Sequence, residues 1–168
     1  MATINNCNTQ VTSYSTGEMI YTLQPAAGSY NGTLRSNVSG DGTTWTVINN
    51  IEQYDINNDY DNSTTWTAPV DGIYFVTYVV YCEDLTSSSF EGDLTFVTTS
   101  DSYTVNEWSI GEMATPADHA TFVGSLMIEM DETDTLIADL TISGSTLTVD
   151  VSEDTSLILT HMSVQLLG

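Results

Sequence analysis

Four oxygen-bearing side chains, Asp55, Asn57, Asp59 and Asp61, stand at alternate positions of the run Asp55-Ile56-Asn57-Asn58-Asp59-Tyr60-Asp61-Asn62-Ser63. Oxygen ligands at this spacing suit a hard cation such as Ca2+, which takes about six to eight of them. The sixth position, however, is Tyr60 where a calcium loop needs glycine, and the twelfth is Trp66 where it needs a bidentate glutamate. An acidic surface loop built on Asx-turns explains the same residues without an ion. No cofactor is therefore expected, with calcium at Asp55, Asn57, Asp59 and Asp61 kept as the alternative. Asp131-Glu132-Thr133-Asp134 and Glu153-Asp154 read the same way, as solvated turns.

The chain has two histidines, His119 in a polar loop and His161 in the last apolar run. Neither comes with a Gly-x-Ser-x-Gly elbow that would supply a nucleophile. His161 beside a subunit axis would bring imidazoles together; a half-exposed strand residue is the plainer reading. Carboxylates are plentiful enough for a glycosidase pair, but nothing in their spacing singles a pair out. Phosphate loop, dinucleotide fingerprint and zinc spacing are all missing. The expectation is a protein that is not an enzyme. Cys7 lies in a polar run and Cys82 ends an apolar one, so a bridge between them is not expected. Tyr103 and Trp108 could stack on a sugar, although such residues more often cap a core. Asn31, Asn37 and Asn62 each begin a glycan acceptor pattern, which a chain rich in Asn, Ser and Thr produces by chance.

Charge narrows the partners. The 168 residues carry 23 Asp plus Glu against one basic residue, Arg35, for a formal charge of −22. Such a chain has no cationic surface with which to release counterions from nucleic acid, so that partner class is excluded. The same excess keeps a protein soluble in a saline medium. No apolar run approaches the ~18 residues of a membrane span, so no membrane insertion is expected. Met1-Ala2-Thr3-Ile4-Asn5 has neither the basic nor the apolar part of a signal peptide. The expected location is a virion surface, reached by release with a virus particle, with an extracellular protein as the alternative.

What must position these residues is β-structure. Leu136, Ala138, Leu140 and Ile142 alternate with Thr135, Asp139 and Thr141; Leu147, Val149 and Val151 alternate with Thr146, Thr148 and Asp150. Trp45, Val47 and Ile51 give a similar pattern, as do Phe122, Leu126, Ile128 and Met130. Period two means half-buried antiparallel strands, and the 27 threonines favour them. Turn signals at Ser39-Gly40-Asp41-Gly42, Asp71-Gly72, Glu91-Gly92-Asp93 and Ser143-Gly144-Ser145 divide them. The fold class expected is all-β, a two-sheet antiparallel jelly-roll sandwich. Residues 41–168 make the jelly-roll domain and 1–40 an N-terminal arm or extra strands. Two runs, 73–81 and 157–167, are apolar on both faces. A strand buried on both faces needs a second cover; in a domain of this size another subunit is the expected one, with an extra layer from residues 1–40 as the alternative.

The stretch Tyr54-Asp55, then Trp66-Thr67-Ala68-Pro69-Val70-Asp71-Gly72-Ile73-Tyr74-Phe75, resembles the globular heads of the complement and tumour-necrosis-factor superfamily. Gly124-Ser125-Leu126-Met127-Ile128-Glu129-Met130 followed by Asp134 is similar to a later strand of that family and the acidic turn after it. The family's Gly-Asp turn reads Thr133-Asp134 here, and its Phe-x-Gly reads Thr160-His161-Met162. The resemblance covers about residues 43–168 and implies a jelly roll. It further implies a tight homotrimer in which strand 73–81 and the last strand face the threefold axis. Tyr74, Val76, Tyr78, Val79, Leu157, Leu159 and His161 are the expected trimer interface. Together these features lead to a non-enzymatic virion structural protein, a trimeric capsid decoration or cement protein with the major capsid protein as partner. The alternative is a receptor- or glycan-binding head of a tail fibre or spike.

Overall fold

Alternation of apolar residues with threonine and other polar residues becomes a set of strands, numbered here in chain order. They are β1 (Thr9–Ser15), β2 (Glu18–Leu23), β3 (Ala26–Tyr30), β4 (Arg35–Ser39), β5 (Thr44–Thr46), β6 (Ile51–Asp55) and β7 (Trp66–Thr67). Then come β8 (Gly72–Glu83), β9 (Glu91–Thr98), β10 (Ser102–Ser109), β11 (Ala120–Met130), β12 (Thr135–Ser143), β13 (Val149–Val151) and β14 (His161–Leu166). The computed structural model describes residues 9–15, 18–23, 25–86, 89, 91–109, 118–152 and 158–167, with no helix among them.

Two antiparallel sheets form the sandwich. One runs β10-β9-β12-β5, with β7 also pairing β12. The other runs β4-β13-β8-β14-β3-β6, with β11 on the far side of β8. Strand β8 organises the second sheet: β11 lies along its whole length, while β14 and β13 follow one another along its opposite edge. Strands β1 and β2 pair with each other.

The core lies between the two sheets. Tyr74, Val76, Tyr78, Val80 and Cys82 on β8, with Phe122, Ile128 and Met130 on β11, are buried. Leu94 and Phe96 on β9, and Leu136, Ala138, Leu140 and Ile142 on β12, fill the other side. Aromatic contacts cross the gap: Trp66 meets Tyr74 edge-on at 4.8 Å and Tyr78 lies 5.4 Å from Phe96, centroid to centroid. Full burial of such a side chain is worth about 1.5–3 kcal/mol, so this double layer dominates the stability. Val105 and Trp108 of β10 pack against the core's margin, Trp108 5.5 Å from Phe122, and Tyr103 joins them. The core-capping reading of Tyr103 and Trp108 is the one observed.

Residues 26–39 supply β3 and β4 of the larger sheet, strands that lie ahead of position 41. Two details differ from the sequence reading. The run from Trp45 to Ile51 is two strands, not one: Val47 is buried while Ile51, opening β6, is exposed. Leu147 precedes β13 and is exposed, leaving Val149 and Val151 as its inward pair. Gly28 shows why β3 carries small residues. The Tyr54 ring lies across its backbone, and a Cβ there would come within 2.6 Å of Tyr54 Cε1.

Candidate functional site

Period two sends the odd-numbered residues of β8 outward, away from the core. Register then places them in rows across five strands. Val123, Val79, His161, Tyr30 and Ile51 make one row over β11, β8, β14, β3 and β6. Ser125, Thr77, Ser163, Gly28 and Tyr54 make the next. Met127, Phe75, Gln165 and Ala26 make the third. Beyond it, Ile73 pairs Glu129, and the Leu167 N–H donates to the Ile73 carbonyl at 2.8 Å.

These three rows contain no Asp, Glu, Lys or Arg, in a chain where 14% of residues are charged. Glu129 stands at the margin. Large apolar side chains are open on this face: Met127 is 65% exposed, Val123 50%, Ile73 46% and Phe75 41%. Serine, threonine and glutamine lie between these apolar side chains, so the face is uncharged and mixed in polarity.

The expected trimer residues divide accordingly. Val79 and His161 lie on the outward face, half-buried, and His161 Nδ1 is shielded with no hydrogen-bond partner. Tyr74, Val76 and Tyr78 are fully buried between this chain's own sheets and offer no surface to another subunit. Their placement is a correction of parity. Both faces of β8 are apolar, so alternation alone does not tell inside from outside. Leu159 is half-buried just before β14, after a left-handed Ile158 (φ 47°). Leu157 lies outside the described residues. Ile73, Phe75, Val123 and Met127 are the residues that sequence reasoning missed, although the doubly apolar run was the signal for the first two.

The Asp55 to Asp61 loop spends its carboxylates on itself. Asp55 Oδ2 accepts the Tyr60 N–H at 2.8 Å. Asp61 Oδ1 accepts the N–H groups of Ser63, Thr64 and Thr65 at 2.8, 2.9 and 3.0 Å. Asn57 is exposed, and its side-chain amide partly offsets the rise in the Asp59 pKa. Among the described residues no three His, Cys, Asp or Glu side chains come together to hold a metal. Burial, then the neighbouring Asp55 charge, pushes the Asp59 carboxyl up to about 6.

His119 is exposed, bonded through Nδ1 to Asp118 at 2.8 Å and stacked on Tyr81 at 5.8 Å. These three line an open cleft of about 270 Å³ with Glu83 and Asp84. The hydrogen bond from His119 holds the Asp118 carboxyl below its ordinary value. No serine, cysteine or threonine is among these lining residues. Cys82 is a free, fully buried thiol, and burial pushes its pKa well up. Cys7 lies outside the described residues.

Two antiparallel sheets in this strand order make a jelly-roll sandwich. Solved structures share the fold. The crystal structure of murine APRIL at pH 8.5 matches with a TM-score of 0.57 and 10% identity, over 86% of this chain and 99% of that one. The globular domain of zebrafish complement 1qA protein matches with a TM-score of 0.53 and 12% identity, over 86% of this chain and 98% of that one. Identities this low establish the fold alone. No protein-family model matches the sequence, and no characterised protein matches it at the sequence level.

Proposed function

We propose that this chain works as a homotrimer, a non-enzymatic structural head whose subunits pack through the outer face of the larger sheet. The observation that carries this is the set of three rows free of charge in a chain of net charge −22. Copies this acidic repel one another, and the repulsion is strongest where carboxylates meet in a desolvated contact. A contact built from Val123, Val79, Phe75 and Met127 avoids that penalty and gains apolar burial instead. The threefold arrangement follows the family resemblance. In its sharper form, supported by the sequence reading, the trimer decorates a capsid with the major capsid protein as its partner. The alternative is a receptor- or glycan-binding head.

Mass photometry at micromolar concentration tests the assembly. The wild-type chain is expected at three times its 18.3 kDa mass, and Met127→Lys, at an exposed position, at the monomer mass with an unchanged circular dichroism spectrum. A monomeric wild type, or a variant that still trimerises, refutes the interface. Occupancy of capsids stripped of the native protein then supports decoration; binding to host cells instead supports the head.

A further inference from the structure

A second group of residues lies inside the sandwich, away from the outer face. Ser29, Met162 and Tyr78 are inward neighbours in one row across β3, β14 and β8. Asn31 continues the inner side of β3 by two residues, its N–H held by the Thr160 carbonyl at 2.9 Å. The segment 31–33 is tied to the one holding Asn49: Gly32 N–H donates to Asn50 Oδ1 at 2.8 Å, and Asn50 Nδ2 donates to Thr33 Oγ1 at 3.1 Å. Tyr60 reaches in from the acidic loop. Its hydroxyl is shared between the carbonyls of Asn49 at 2.8 Å and Ser63 at 2.6 Å.

Several buried polar atoms on these same segments have no partners. Asn49 is wholly buried, and neither its Oδ1 nor its Nδ2 is hydrogen-bonded. Asn31 Nδ2 and the Tyr78 hydroxyl, on side chains equally buried, are also unpaired. Ser29 Oγ stands close enough to favour the Tyr60 phenolate, yet outside good hydrogen-bond geometry. Tyr78 lies one strand beyond Met162 in the same inward row as Ser29. These five atoms come from four side chains on three separate stretches of chain.

A buried donor or acceptor left unmade is costly, and native interiors rarely tolerate several together. Apolar cavities stay dry, whereas cavities lined by several polar groups hold ordered water, each molecule making about three hydrogen bonds. We infer that the space bounded by Ser29, Asn31, Asn49, Tyr60 and Tyr78 is an internal hydration site holding about two long-lived water molecules, the number that five unpaired atoms at about three bonds per water require. The site lies behind the acidic loop, so its water bridges the loop's Tyr60 anchor to the larger sheet.

Oxygen-17 magnetic relaxation dispersion on the full chain counts waters that exchange slowly with bulk. The wild type is expected to show a dispersion step whose amplitude falls in both Asn49→Leu and Tyr78→Phe. A missing step, or one unchanged in the variants, overturns the assignment. Tyr78→Phe also keeps the question open to a second readout if Asn49→Leu does not fold. Removing a hydrated hydroxyl lowers Tm by roughly 2–4 °C, whereas removing a dry, unpaired one raises it. A raised Tm therefore overturns the inference as well.

Discussion

Replacing Asp59 by Asn isolates one electrostatic strain in the fold. Asp59 Oδ2 is shielded from solvent without a hydrogen-bond partner, and Asp55, whose Oδ1 is in the same state, repels it. The carboxyl is thereby raised from 3.8 to about 6. A folded-state pKa above the unfolded one means that the native state binds the proton more tightly. Stability from this group is therefore full below about 3.8 and is lost as pH rises through about 6. Unscreened, the shift corresponds to about 3 kcal/mol; the side chain is only half-buried, so solvent screening leaves about 1 kcal/mol. For a domain of this size that is about 2–4 °C in Tm. Asp59→Asn is neutral at every pH, so its Tm should exceed the wild-type value by this amount at pH 7.5. The gap should close between pH 6 and 4. Measuring both proteins side by side cancels the titration of the other acids. A gap that stays constant over this range would falsify the reasoning, because a packing effect of the substitution does not titrate.

Three further expectations concern packing and charge. Gly124→Ala places a Cβ against Val105 Cγ2, where β10 bulges over β11; overpacking should cost about 1–3 kcal/mol, read by urea denaturation, and Val105→Ala should restore much of it. Cys82 should resist thiol reagents in the native state and react only on unfolding, since burial disfavours its thiolate; peptide mapping after timed alkylation checks this. With one basic residue against 23 acidic ones, Tm should rise with salt from about 10 mM to 1 M as the Debye length shrinks from roughly 30 to 3 Å. A flat profile in differential scanning fluorimetry would show that self-repulsion does not limit the fold.

How much was legible depended on contrast between neighbouring residues. Strand β12 was readable in full because Leu136, Ala138, Leu140 and Ile142 alternate with polar partners, and all four are buried. Strand β8 was readable as a strand but not as an orientation. With Ile73 and Phe75 as apolar as Tyr74 and Val76, only the opposite sheet decides which set turns inward. Trp66 and Phe96 decide it by packing on Tyr74 and Tyr78. Strand β3 was hidden for the opposite reason. Ala26, Ala27, Gly28 and Ser29 have little strand propensity of their own, and their small size serves the close passage of Tyr54. The acidic loop looked like an ion site because Asx side chains that cap their own turns have the same spacing as ligands. The buried polar group had no signature, since Ser29, Asn31, Asn49, Tyr60 and Tyr78 meet only through the register of distant strands.

The neighbouring ends of β3 and β14 have a mechanical consequence. These strands are antiparallel, with Ala26 opposite Gln165 and the Leu166 N–H bonded to the Pro25 carbonyl at 3.0 Å. The chain therefore enters and leaves the sandwich at one corner. Tension applied between those two points pulls across the ladder, and its hydrogen bonds are loaded one after another, as in a zipper. Tension applied along a strand would load the bonds together, in shear. A load entering through the outer face is shared among several ladders instead of falling on one.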